Sequence, residues 1–384
     1  MVDVKALQEE RTKLFYDVYD GKKPKRIPIT TVIYAEAAAP YAGVELKKAQ
    51  WDPTYSEAYI DKIAADIPTD KAAIGAAPRI APFYEMLQAK AIKMGENYSM
   101  QHPEVYSLEA DEYDAFIADP YKCLMDICMP KLYPALAGDK GSAMLNLLKA
   151  YQIRADFVAK QGAYAAAAVN KYGFALLPPG GFTEAPLDFV ADFIRSFSNT
   201  MSDLRRYPDK VAAACEAATP HMIKCGLVPT SSKFGRTFIP LHMAPFMNRK
   251  LFEKFYWPSF KALLDGLAAG GAECRIFIEN DWTPHFDYIL DFPGCAELQF
   301  EYGDPKEIQQ KFKGRHIMSG MFPITMLQTH TKQQCIDFAK MLMDTFGPDG
   351  NFIFNTDKGI YSIKEPIATN VKAVFEYVRD NGSY

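Results

Sequence analysis

The sequence predicts an α/β protein, a (β/α)8 barrel with N-terminal helices and a helical insertion. Three observations predict it. Short apolar segments rich in β-branched and aromatic residues recur along the chain, most of them separated by stretches of helical length. That alternation marks parallel βαβ units, whose strands are buried on both faces. Eight such segments can be counted, the number that closes a barrel. No glycine-rich G-x-G-x-x-G follows any of them, which disfavours the alternative, an open doubly wound sheet.

The elements follow in order. The first nineteen residues read as a charged amphipathic helix that stops at Asp20-Gly21. A basic turn through Arg26 leads to residues 27–34, whose β-branched content predicts the first strand, and residues 72–77 form a weaker second segment. Residues 53–72 and 104–170 carry Ala, Leu, Lys and Met at helical spacing. The region about 85–170 reads as a helical elaboration of the barrel. The remaining strands are predicted at 174–177, 237–241, 275–278, 296–300, 317–321 and 351–354, with helices over 187–199 and 249–269 between them. No low-complexity linker or fixed repeat divides the chain, so residues 1–384 are read as one domain.

Composition excludes several classes of function. Apolar residues make up 49% and charged residues 23%, the balance of a soluble protein with a large core. A net charge of −4 favours neither nucleic acid nor an anionic membrane surface as partner. No apolar run approaches the eighteen residues of a membrane span, and the charged start lacks the apolar core of a signal peptide. A cytoplasmic protein is expected. The seven cysteines include no C-x-x-C pair and form no disulfide or zinc-ribbon pattern. With six histidines besides, any metal site must draw on carboxylates.

In a barrel the functional residues stand at the carboxyl ends of the strands. Those positions hold Tyr34 and Glu36, the run Pro178-Pro-Gly-Gly-Phe182-Thr-Glu184, His242, the run Glu279-Asn-Asp281-Trp282-Thr-Pro-His285, Glu301, the segment Ser319-Gly-Met321-Phe322, and Asp357-Lys358. Carboxylates, imidazoles, a lysine and aromatics converging on one mouth compose a small-molecule site. Glu279 and Asp281 are close enough to repel, so a cation between them or a shared proton would stabilise the pair. Zinc held by Glu279, Asp281 and Glu301 would satisfy them and polarise an oxygen leaving group. In the alternative, Asp281 caps the following helix, Glu279 pairs with a base, and Glu301 is a solvated carboxylate or a general acid/base. His242 reads as a half-buried, hydrogen-bonded imidazole or a substrate contact, and Lys358 as a loop lysine or a partner for an anion. Gly180-Gly181 reads as a tight turn before a helix, whose N–H groups could hold an anion or a carbonyl oxygen. Tyr34, Phe182, Trp282 and Met321 complete the expected substrate wall, which suits a flat aromatic molecule.

The chain resembles the uroporphyrinogen decarboxylase superfamily, in particular its corrinoid-dependent methyltransferase branch. The residues that carry the likeness are Arg26-Ile-Pro-Ile with Tyr41-Ala-Gly43, the turn Gly180-Gly-Phe-Thr183, the helix entry Pro208-Asp-Lys-Val211, and Asn351-Phe-Ile-Phe followed by Pro366 and Asn370. The decarboxylases carry Met-Arg-Gln-Ala-Gly-Arg after the first strand, where this chain has Ala35-Glu-Ala-Ala-Ala-Pro40 and no cation for a polyanionic porphyrinogen. The thiol methyltransferases carry His-x-Cys-Gly after the fifth strand and a cysteine after the last; here the matching places read Glu279-Asn-Asp281 and Asp357-Lys358. An oxygen-rich site is harder and suits an ether oxygen. The resemblance therefore implies an O-demethylase component that passes a methyl group from an aryl methyl ether to Co(I) of a separate corrinoid protein, with zinc as its expected metal. It leaves a homodimer open. The alternatives are a metal-independent lyase of the same superfamily and a non-catalytic small-molecule-binding barrel.

Overall fold

The computed structural model of the chain describes residues 3–74 and 79–384. An antiparallel hairpin of β1 (Lys93–Met94) and β2 (Met100–Gln101) stands apart from a five-stranded parallel sheet. The sheet comprises β3 (Thr237–Leu241), β4 (Cys274–Ile278), β5 (Glu297–Phe300), β6 (Ile317–Phe322) and β7 (Phe352–Thr356), adjacent in that order. Arg275 lies opposite Glu297, Glu297 opposite Ile317, and Met318 opposite Phe352. Every residue of β5, β6 and β7 is buried, as strands covered on both faces require.

Backbone hydrogen bonds carry the sheet onward from both edges until they meet. Beside β7, Phe354 N donates to Pro28 O and Thr30 N to Phe354 O, both at 2.9 Å. Asp70 N then donates to Ile29 O (2.9 Å), and Ala175 N to Asp70 O (2.8 Å). Phe238 N donates to Gly181 O (2.9 Å) and Thr183 N to Phe238 O (3.1 Å), which returns the ring to β3. All eight predicted strand positions are used, and the fold is the (β/α)8 barrel.

Two segments differ from the sequence reading. The first strand consists of single bridges, Ile29 to Phe354 and Ile33 to Ile74 and Ile360, because Pro28 has no N–H to give to a ladder. Of the second segment, Ile74 is paired, and residues 75–77 lie outside the described residues. Gly180 and Gly181 do not open a helix. The chain rejoins the sheet at Phe182, and the helix begins at Pro186. The glycines serve close backbone approach: a Cβ on Gly180 would lie 1.7 Å from Arg236 O, and one on Gly181 1.9 Å from Gly226 O.

The N-terminal helix Val4–Tyr19, capped by Asp3, buries Leu14, Phe15 and Val18 and ends beside Gly21 at φ +69°. Phe15 and Val18 pack with Ala175, Ile317 and Ile353, residues near the starts of barrel strands, so this helix plugs the N-terminal end. The elaboration between the second and third strands is helical as expected. It adds the β1–β2 hairpin, helix Tyr113–Ala118 and the 33-residue helix Lys140–Tyr172, which Asp139 caps and Gly173 ends. Among the described residues no helix is long and apolar enough to cross a membrane.

Asp70 ties the plug to the barrel. It is buried and accepts from Arg26 Nη1 (2.7 Å) and Ile29 N (2.8 Å), with Arg11 Nε at 3.5 Å. Removing one partner leaves buried guanidinium charge uncompensated, at a cost of about 3–5 kcal/mol. Asp70→Ala should lower the stability measured by urea denaturation by that amount; a loss under about 1 kcal/mol would contradict this role.

Candidate active site at the barrel mouth

The mouth is built from strand ends where outward residues pack and inward ones are left for chemistry. Leu241, Ile278 and Phe300 are buried in the outer core, so His242, Glu279 and Glu301, one residue on, turn inward. After the third strand, Thr183 faces outward and donates from its hydroxyl to Met222 O (2.7 Å). Phe182 therefore faces the lumen, 6.1 Å from the Phe238 ring and 53% exposed. The chain then enters helix Pro186–Phe189, continued by a wide turn over Val190–Arg195. Asp188 and Asp192, four residues apart on this segment, share the side toward the mouth, where both bond to His242, and Glu184 lies just before the helix starts.

His242 joins these two sources of charge. Its Nδ1 bonds to Asp192, and its Nε2 lies 3.3 Å from Glu279 Oε1. Asp188, wholly buried, accepts from His242 N (3.1 Å), Met243 N (2.8 Å) and the Tyr256 hydroxyl (2.8 Å), fixing the strand end to the helix. Burial works against a charge on His242, but the bonds to Asp192 and Glu279 and the charges of Asp188 and Asp192 outweigh it, raising the imidazolium to about 11. Burial raises Asp188 to about 6 against the pull of His242 and its hydrogen bonds. Glu184 is 6% exposed, and its Oε2 has no partner among the described residues. Burial, aided by the charge of Asp192, pushes its carboxyl up to about 8. Near neutral pH the mouth thus holds an imidazolium and a protonated carboxylic acid.

The opposite side holds a second ion pair. Lys358 Nζ bonds to Glu301, whose other oxygen accepts from Asn280 N (2.9 Å), and the Glu301 bond raises Lys358. Asp357 is buried and accepts from Ile324 N (3.0 Å) and Lys358 N (2.7 Å); burial raises it to about 6. Asn280 (φ +59°) and Met321 (φ +68°) occupy the left-handed region at the ends of β4 and β6, strain of the kind that concentrates at functional sites. Tyr34 stacks on Tyr361 with ring centroids 4.1 Å apart. Beside that pair lies a cavity of about 770 Å³ whose walls include Glu36, Tyr41 and Lys364.

The structure sorts the expected site residues. It brings His242 to Glu279, and Glu301 to Lys358, and it keeps Phe182 and Tyr34 on the lumen and rim. Met321 is nearly buried within β6, opposite Asn355. Trp282 is not a mouth residue: it is 0% exposed, packed edge-on against Phe252 and Tyr256. His285 is buried too, stacked on Phe252 with centroids 4.0 Å apart. Asp281 accepts from Thr283 N (2.9 Å) at the entry to the short turn Thr283–His285, whose N-cap position is Trp282. The trio Glu279, Asp281 and Glu301 is therefore not assembled as a zinc donor set. Among the described residues no group of three or more His, Cys, Asp or Glu side chains stands so as to hold a metal. Glu279 is turned to an imidazolium and Glu301 to an ammonium, and in this arrangement they do not fit a zinc ion.

Sequence reading placed Glu184 at the mouth without a role and overlooked Asp188 and Asp192. The signal was present as Glu-x3-Asp-x3-Asp, a carboxylate stripe at helical spacing.

The protonated Glu184 has a measurable consequence. Folded, it keeps its proton to about pH 8; unfolded, it loses it near the usual carboxylate value of about 4.3. The folded state binds more protons inside that window, so stability falls as pH rises through it. Urea denaturation at pH 5 and pH 8 should show that fall, and Glu184→Gln should lessen it. An equal slope in the variant would contradict a protonated Glu184.

Comparison with known proteins agrees with this architecture. The uroporphyrinogen decarboxylase (URO-D) family matches residues 145–381. Among solved structures, the barrel is similar to a methyltransferase from Methanosarcina mazei, with a TM-score of 0.65 and 15% identity over 96% of this chain and 98% of that one. No curated protein sequence matches. With more than half its length matched, the chain belongs to the uroporphyrinogen decarboxylase family.

Proposed function

We propose that the protein is a methyltransferase that demethylates an aryl methyl ether, the methyl group going to Co(I) of a corrinoid carried by a separate protein. The observation that carries this reading is His242 held between Asp192 and Glu279 beside the buried Glu184, whose Oε2 has no partner among the described residues, at a mouth also lined by Lys358, further carboxylates and aromatic rings. An ether oxygen is a poor leaving group until its developing charge is met by a hydrogen bond or a proton. In the reaction the carbon–oxygen bond breaks, the methyl carbon takes the electron pair of Co(I), and the oxygen keeps the bonding electrons. The oxygen then takes a proton from Glu184, while His242 stabilises its charge. Phe182 and Tyr34 would flank a flat ring.

Three further observations support this reading. The solved structure of similar fold is described as a methyltransferase. The loop that would bind a polyanionic porphyrinogen is here the helix Ala35–Tyr41, with buried Ala35, Ala37, Ala38 and Ala39 and no cation. The rim beside His242 exposes Phe193, Phe197 and Phe246, an apolar edge suited to a docking partner. Zinc, expected from the oxygen-rich strand ends, has no assembled donor set among the described residues.

The test is demethylation of aryl methyl ethers with purified corrinoid proteins. Glu184→Gln and His242→Asn should each lower the rate by about 10²–10⁴-fold. The wild-type rate should fall above about pH 8, as Glu184 loses its proton. Unchanged rates in both variants would overturn the assignment. Turnover of a carboxylated substrate without any corrinoid protein would favour a lyase instead.

A further inference from the structure

A second polar chamber lies inside the barrel at its other end. It has a volume of about 190 Å³ and lies between the plugging helix and the first halves of the strands; Lys71, Arg275, Glu297, Gly180, Gly181 and Thr30 are in its walls. Arg275 and Glu297 precede Glu279 and Glu301 by four residues each, which places this layer about 13 Å down the strands from the mouth.

Its charges do not balance. Arg236 is held by Glu273 (2.7 Å) and by carbonyl oxygens of Cys274 and Cys295. Glu297 accepts from the Tyr19 hydroxyl (2.9 Å). Lys71 Nζ and the Arg275 guanidinium have no hydrogen-bond acceptor among the described residues; the Arg275 guanidinium carbon lies over the Phe238 ring, 4.4 Å from its centroid. Lys71, Arg275 and Glu297 together leave one positive charge in excess. Burial, with the neighbouring Arg275 adding, pushes Lys71 down to about 8, so the two cations face each other at a cost. The N–H groups of Gly180 and Gly181 likewise have no acceptor among the described residues.

We propose that this chamber is a binding site for a small carboxylate monoanion, clasped between Lys71 and Arg275. One negative charge neutralises the excess, and two oxygens match the planar fork of Arg275, whereas a spherical halide uses only one of its directions. The Gly180-Gly181 segment supplies close backbone approach and uncommitted donors where any side chain would collide with Arg236 O or Gly226 O. The site is separate from the mouth and does not depend on the reaction performed there.

Isothermal titration with sodium formate, repeated with sodium chloride at matched ionic strength, tests it. Formate should bind saturably at one site per chain, with chloride weaker by about tenfold or more. Lys71→Met and Arg275→Met should each weaken formate by about tenfold or more. Neither should lower the melting temperature measured without formate, since each removes one of two repelling cations. Arg275→Lys, which keeps the charge and loses the fork, should narrow the gap between formate and chloride. Glu184→Gln should bind formate as the wild type does. Absence of saturable binding, or equal affinity in wild type and Lys71→Met, would overturn the proposal.

Discussion

The mouth of this barrel depends on one half-buried charge, the His242 imidazolium. Glu184, Asp188, Asp192 and Glu279 are drawn into a small volume, where their mutual repulsion would open the site if all were ionised and unpartnered. His242 prevents this by carrying a proton between Asp192 and Glu279 while its backbone N–H is held by Asp188. Burial, aided by the charge of Asp192, leaves a proton on Glu184 and so removes one of these charges. The imidazolium thus fixes the end of β3 against the helix after the third strand, while burial, against the pull of His242, keeps the proton on Glu184.

The barrel separates two chemistries along its axis. At the carboxyl ends, acids outnumber bases and protons are retained. At the amino ends, Lys71 and Arg275 outnumber Glu297 beneath a helical plug. The lumen between keeps open surface at Phe182 and Phe238 instead of closing into a packed aliphatic core. That interior suits a ring-shaped guest above and a small anion below. The plug matters because Arg11 of the N-terminal helix and Arg26 just after it converge on Asp70, immediately before Lys71 in the chain.

Much of this was legible in the sequence, for reasons that differ by element. Most strands were readable because parallel strands buried on both faces are rich in apolar residues, and β5 to β7 are buried throughout even where Glu297 and Gln299 interrupt the run. Strand-end positions for His242, Glu279, Glu301 and Lys358 followed from those strands. Which of them would touch did not, because lateral neighbours around a barrel are set by register and by side-chain reach. Trp282 misled because the chain turns at Asp281, which accepts from Thr283 N, and the indole packs back into the core, a local geometry that the polar residues around it conceal. Gly180-Gly181 misled because a double glycine marks both turns and close approaches, and only the positions of Arg236 and Gly226 decide between them. Asp188 and Asp192 were overlooked although their spacing from Glu184 was visible, since a helix face of acids is most often solvated.

The central claim is that His242 stays protonated at neutral pH and thereby organises the mouth. An NMR pH titration of the imidazole resonances, with His242 assigned through the His242→Asn variant, tests it most directly. The account predicts that His242 remains charged through pH 9, well after an ordinary histidine has lost its proton at about 6.5. A His242 that titrates between pH 6 and 7 would contradict the account, leaving the four carboxylates without the cation that holds them together.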